Sequence, residues 1–356
     1  LQMIERSKES IASLSDGAER LSWTYTQVVR SAMILATAIG PALSLVKLTG
    51  TLEAHSARLN TIATQLYGDL KPLLQLLNRR ADLRADVEQG HIPDDPEFRV
   101  LWDAYMQKHG HRGIYESDVA RPRYHEDPSP IIGILASPFP QRNGERTRSW
   151  REWLTLPVWW HASRTMKARE LQRYRSMKAF DNIRRQMLPI IDDYVVSGAL
   201  RSPDDFWMLD VDEVRHMEQG WMPDSVFWVA REAEIDSLKA YDLPDLIYRY
   251  DDLEQFRDGY TGDESQTRFS GIGLTKGEVR GRAWVLDEPE MTLPESFVAE
   301  DTILIARSID AGWISTFAKV AGVIVETGGD LSHGSIILRE IGLPAVTNVN
   351  GVARVI

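Results

Sequence analysis

The chain has 356 residues, 43% of them apolar and 26% charged, an ordinary balance for a soluble globular protein of about two domains. Its formal net charge of −11 argues against a nucleic-acid binder, which would carry a basic patch or stripe. It contains no cysteine, which excludes a disulfide framework and a thiolate metal site and suits a reducing, cytoplasmic setting.

The start, Leu1-Gln2-Met3-Ile4-Glu5-Arg6, is polar, with no signal-peptide pattern and no initiator methionine at position one. The numbering is therefore expected to begin inside a longer chain. Ile4, Ile11, Leu14, Ala18, Leu21, Tyr25 and Val28 step by seven, three and four, the spacing of a helix with a narrow apolar seam. The apolar run Ser31–Val46 is cut by Gly40 and Pro41 and falls short of the roughly 20 residues a membrane span needs, so it reads as a buried helix pair. Leu59, Ile62, Leu66, Leu70, Leu73 and Leu77 predict another helix. Residues 90–96 form a break, and Phe98 to Lys108 a short helix followed by an irregular stretch. Residues 127–150, rich in Pro, Gly and Ser, read as loop. A long basic helix is expected from about Ser163 to Ile191, then a turn and short helix over Asp204–Glu218. Residues 258–270 are polar and carry Gly, Ser and Thr, the composition of a linker.

The chemistry concentrates near the end of the chain. Residues 323–326 (Val-Ile-Val-Glu) are short, apolar and β-branched, a buried strand. Gly328 and Gly329 break it, and Ile336, Ile337, Leu338 and Ile341 then fit a short helix stopped by Gly342 and Pro344. His333 thus falls at a strand–turn–helix junction. The first turn of a helix offers free N–H donors and partial positive charge, a seat for a phosphate. Flanking glycines permit close approach, Thr327 and Ser332 add hydroxyls, and Arg339 adds a guanidinium. A neutral imidazole is a competent nucleophile near pH 7, so the pattern favours a phosphoryl-carrying histidine over a helix cap.

The segment Thr327-Gly328-Gly329-Asp330-Leu331-Ser332-His333-Gly334, with Phe269–Ile272, Gly277–Ala283, Ile303–Ser308 and Asp310–Trp313, resembles the phosphohistidine swivelling domain of phosphoenolpyruvate synthase, pyruvate phosphate dikinase and rifampin phosphotransferase. Lys108–Pro128, Leu200–Leu209 and Asp212–Val214 are similar to the helical domain of rifampin phosphotransferase-like proteins and split synthases, with Arg169, Glu170, Arg173 and Arg185 matching more weakly. The resemblance implies an α plus α/β fold: a helical acceptor-binding domain over 1–257, a linker over 258–270 and a β/β/α swivelling domain over 271–356, with one more strand expected beyond Ile356. It also implies that His333 takes the β-phosphoryl of ATP and delivers it to a second substrate, with Thr327, Gly328, Gly329, Ser332 and Arg339 around it. No glycine-rich nucleotide loop with its lysine is visible, so ATP and Mg²⁺ are expected on a separate ATP-grasp subunit. Phenylphosphate and alkylphenol-phosphate synthases resemble this arrangement. A rifampin-type antibiotic phosphotransferase and a phosphocarrier module are the alternatives.

An acceptor hydroxyl must lose its proton. Glu116 and Asp118, two apart, share one face if the segment is extended, and either could serve as base, with His111 as a further candidate. Arg112 and Arg123 could hold phosphoryl oxygens in flight. The bland alternative is that these charges pair with one another and pin a loop. Tyr115, Tyr124 and Trp207, with the tryptophans dense between 150 and 228, could line a pocket for an aromatic or otherwise apolar hydroxyl compound. No metal site, nucleic acid or membrane is expected.

Overall fold

The computed structural model describes residues 44–46, 48–51, 55, 65–66, 68–136, 149–238, 241, 266–290, 294–309, 311–317, 319–329 and 333–355. The expected first helix, most of the Ser31–Val46 run, residues 258–265 of the linker, and Asp330 to Ser332 lie outside the described residues. The described residues fall into two compact units: one holds 44–117, 121–178 and 266–355, the other 118–120 and 179–241.

In the larger unit, α1 (Lys71–Arg79) buries Leu73, Leu74, Leu76 and Leu77, and α2 (Ala81–Glu88) buries Leu83 and Val87. Helix α3 (Pro96–His109) starts where Asp95 accepts the Glu97 and Phe98 N–H groups, both at 3.0 Å, with Pro96 in its first turn. Its buried stripe is Phe98, Trp102, Tyr105 and His109, at helical spacing. Residues 129–136, expected as loop, form helix α4 (Ser129–Ala136), whose residues Pro130 to Leu135 are all buried. It packs against α2 on one side and against α9 (Ile314–Phe317) on another. Packing on all sides overrides the weak local signal of a short segment containing Pro and Gly. Helix α5 (Trp150–Val196) is 47 residues long, much longer than its sequence signal.

The carboxyl-terminal part is a five-stranded sheet of order β1-β5-β4-β3-β2. Strands β2 (Arg282–Leu286), β3 (Thr302–Ala306), β4 (Gly322–Val325) and β5 (Ala345–Thr347) are parallel, and β1 (Ile272–Gly273) joins β5 antiparallel. Leu304, Ala306, Val323 and Val325 share a core with Trp313, Phe317 and the α10 (His333–Ile341) residues Ile337, Leu338 and Ile341. Ile305 packs instead with Val349 and Val352, the latter in α11 (Val352–Val355). Covered parallel strands read as continuous apolar runs for this reason.

The smaller unit holds α6 (Pro203–Phe206), α7 (Val211–Glu218) and α8 (Ser225–Leu238). A reciprocal cap between Asp210 and Glu213 starts α7. Ile191, Leu200, Phe206, Met217 and Trp228 form its core. The α plus α/β class stands, and no helix among the described residues is long and apolar enough to cross a membrane.

Candidate functional site

The strand–turn–helix junction is present. Pairing continues past β4, with the Glu326 N–H donating to the Ala306 carbonyl (2.9 Å) and the Thr327 N–H to the Arg307 carbonyl (2.8 Å). The Gly328 carbonyl accepts from Thr347 Oγ1 (3.0 Å) and the Gly329 carbonyl from Ser335 Oγ (2.9 Å). The turn is therefore pinned by its carbonyls at both glycines. His333 is the first residue of α10, at the carboxyl edge of the parallel strands, where open α/β sheets place ligands. Any Cβ on Gly334 would press on the Ile309 side chain and lie 3.0 Å from its carbonyl, so only glycine fits behind His333. Arg339 is placed differently from the expected phosphate ligand: it is buried, and its Nε donates to the Leu274 carbonyl at 3.1 Å, bracing α10 against the stretch after β1.

The second group sits in the irregular segment after α3. Residues 114–117 make a turn, not an extended strand, so the alternation expected to aim Glu116 and Asp118 one way does not apply. Glu116 is buried, whereas Asp118 is exposed and accepts the Ala120 N–H at 2.8 Å. Glu116 takes a two-pronged contact from Arg112, through Nε to Oε2 and through Nη2 to Oε1 at 2.8 Å. Arg173 Nε, from α5, reaches the same Oε1 at 3.2 Å, and Arg123 Nη1 donates to the Glu116 carbonyl at 2.9 Å. Burial alone would lower the Arg112 pKa, but Glu116, with Tyr124 and Glu170 nearby, holds it above the ordinary arginine range. Gly113 lets the segment fold back, because a Cβ there would sit 2.5 Å from the Pro122 carbonyl. The charges thus pair with one another and pin the segment.

Exposure separates the roles of the guanidinium groups. The Arg112 side chain is 4% exposed and Arg173's is 39% exposed, while Arg123 is fully buried. Arg173 is the most exposed guanidinium of this cluster. It was only a weak sequence signal, and buried Glu170 likewise. His111 is buried with its ring edge-on to Tyr174 at 4.7 Å.

Tyr124 lines a cleft, and Tyr115 bonds across beside it. Tyr115 has φ +50, in the left-handed region that a tyrosine rarely adopts. Its hydroxyl donates to the Asp287 carbonyl (2.8 Å) in the loop after β2, and Arg121 beside it pairs with Glu288 of that loop. Between these segments lies a cleft of about 180 Å³, walled in part by buried Tyr124. The tryptophans do not converge there. Trp159 is buried and stacks on His55, Trp150, Trp153 and Trp160 are exposed, and Trp207 packs on Phe206 with Arg184 over its ring in the smaller unit.

One pair, a buried histidine on a half-buried aspartate, had no sequence signal. Asp69 accepts from His109 Nε2 (2.7 Å) and Lys108 Nζ (2.5 Å), and the His109 carbonyl accepts the Arg112 N–H at 2.9 Å. The pair anchors the start of the Glu116 segment. Burial lowers the His109 pKa despite the pull of Asp69. Burial would raise the Asp69 carboxyl, but its bonds to Lys108 and His109 hold it below the ordinary value.

Two predictions follow from this geometry. Glu116→Ala strands Arg112 and should cost about 3–5 kcal/mol of stability, whereas Arg173→Ala, at a half-exposed site, should cost less than about 1 kcal/mol; urea unfolding midpoints measure both. For His109 the folded pKa lies below the unfolded one, so the unfolded chain binds more protons and stability is lost as pH falls through and below the ordinary histidine range. The drop in urea midpoint between pH 7.5 and 5.5 should therefore be smaller in His109→Gln than in the parent chain.

Residues 298–356 match the mobile domain of PEP-utilising enzymes, and residues 46–177 match the fourth domain of rifampicin phosphotransferase. The chain is 24% identical over 346 residues to the prodigiosin synthesizing transferase PigC of Serratia marcescens, covering 87% of this chain and 38% of that protein. It is 25% identical over 302 residues to a rifampicin phosphotransferase of a Streptomyces species (74% and 33% covered) and 22% identical over 284 residues to that of Bacillus subtilis strain 168 (71% and 32% covered). The chain thus spans between 32% and 38% of the length of these relatives. The His333 turn lies in the segment matching the mobile domain of PEP-utilising enzymes, and the Glu116 cluster lies in the segment matching the rifampicin phosphotransferase fourth domain.

Proposed function

We propose that this chain is the phosphohistidine and acceptor part of an ATP-dependent phosphotransferase. His333 attacks the β-phosphorus of ATP, the α–β P–O bond breaks as the P–N bond forms and AMP leaves, and water then removes the γ-phosphoryl from the pyrophosphohistidine as phosphate. The acceptor oxygen then attacks the phosphohistidine, the P–N bond breaks and imidazole is restored. In sum, ATP, an alcohol and water give a phosphate ester, AMP and phosphate. The observation that carries this reading is the position of His333 at the start of α10, on the carboxyl edge of a parallel sheet. There the helix N-terminus favours the transferred anion.

On this reading residues 271–356 move as one body on a pivot at 258–270, and ATP with Mg²⁺ is held by an ATP-grasp part, on a separate subunit, outside these 356 residues. The acceptor is a small apolar or phenolic hydroxyl compound. Arg173 meets the phosphoryl oxygens in flight, and Glu116 and Arg112 hold it there. Glu116, Asp118 and His111 remain the candidates for the base.

The match of residues 46–177 to the rifampicin phosphotransferase fourth domain favours a second reading, in which the acceptor is a large antibiotic of the rifampicin type. Product analysis tests the common core of both. With the ATP-binding part supplied, one AMP should appear per phosphorylated acceptor, and His333→Ala should abolish both products. ADP as the nucleotide product, or turnover in His333→Ala, would contradict it.

A further inference from the structure

We infer that the cleft between the Glu116 segment and the loop after β2 is the seat of the acceptor, and that it admits a neutral, single-ring hydroxyl compound. This rests on the acceptor reading above.

Size sets the first limit. The cleft holds about 180 Å³. An apolar cavity of about 150 Å³ is enough for benzene, whereas drug-sized ligands occupy about 300 Å³ or more. The volume matches a single ring.

Chemistry sets the second. Pro122, Tyr124 and Pro130 give one apolar wall and Pro289 the other. Arg121 and Glu288 pair at the rim, and Asp127 adds a further carboxylate. The cleft lining carries one guanidinium, Arg121, against two carboxylates, Glu288 and Asp127, so an anionic ring would meet a net negative charge. A neutral phenol meets no such repulsion.

Position is the third consideration. The loop 287–289 follows β2 at the same carboxyl edge from which β4 leads to His333. Two strand spacings separate them, about 10 Å along the edge. The two walls come from chain segments far apart in sequence, held together by the Tyr115–Asp287 bond (2.8 Å) and the Arg121–Glu288 pair. The left-handed backbone at Tyr115 is what lets its hydroxyl reach across. The acceptor therefore meets a complete pocket only when the sheet is docked against the Glu116 segment, which couples acceptor binding to docking.

The test is binding of 4-fluorophenol and 4-fluorobenzoate to the full chain, followed by fluorine NMR without ATP. The comparison uses Pro289→Trp, which fills the cleft from the exposed loop, and Glu300→Trp as a surface control, with circular dichroism to check that both fold. The parent chain and Glu300→Trp should bind 4-fluorophenol at least tenfold more tightly than 4-fluorobenzoate, and Pro289→Trp should weaken the phenol at least tenfold. Equal phenol binding in Pro289→Trp would put the site elsewhere. No phenol binding to the parent chain, or tighter benzoate binding, would overturn the ligand class. Phosphorylation of His333 is unaffected by any of these outcomes, so failure of the cleft is distinguishable from failure of the carrier reading.

Discussion

The buried carboxylate of Glu116 is the constraint on which the candidate acceptor site depends. The stretch of turns after α3 is clipped at its base by backbone bonds from Tyr124 to the Arg112 carbonyl (2.7 Å) and from His125 to the Gly110 carbonyl (3.1 Å). Its tip is held by Arg112 and Arg173 on the Glu116 side chain and by Arg123 on its carbonyl. Burying such charges is tolerable only when every partner is present, since a stranded ion costs several kcal/mol. The cluster is accordingly all-or-none, and it determines where Tyr115, Arg121 and Tyr124 stand. Helix α4 continues from this segment and is buried between α2 and α9, so the same stretch of chain joins the helical part of the larger unit to its sheet.

How much could be read from the amino acids follows from what each element relies on. The turn before α10 was legible because its determinants are local: a β-branched run, two glycines and a helical apolar spacing. The expected strand 323–326 is shifted by one residue at each end from β4, and the expected helix 334–341 starts one residue later than α10. Helix α4 was not legible, because its stability comes from surfaces supplied by distant segments. The geometry at Glu116 was half legible. The residue types suggested charge pairing, but the turn that separates Glu116 from Asp118 depends on Gly113 and on buried partners far along the chain. Asp69 carried no signal, because its partner His109 lies forty residues away. Arg339, of suitable chemistry and beside the motif, is turned into the core, a placement set by Leu274 some 65 residues away.

The two groups together suit a division of labour. The Gly328 and Gly329 carbonyls before His333 are tied by Thr347 and Ser335, and Gly334 after it packs closely against Ile309. In the Glu116 cluster Arg112 and Arg123 are buried and Arg173 is partly exposed, which on the proposed reading leaves one guanidinium for an incoming phosphoryl group. Positioning and charge stabilisation account for most of what phosphoryl transfer asks of a protein, so a small number of well-held residues is sufficient.

The central claim is that His333 carries the phosphoryl group. The most direct measurement is mass mapping of the chain after incubation with ATP and its ATP-binding part, digested at alkaline pH to preserve phosphohistidine. One added phosphoryl group on the peptide containing His333, lost on brief acid treatment, is the result the account predicts. An acid-stable phosphoryl group, or one on any other peptide, would contradict it.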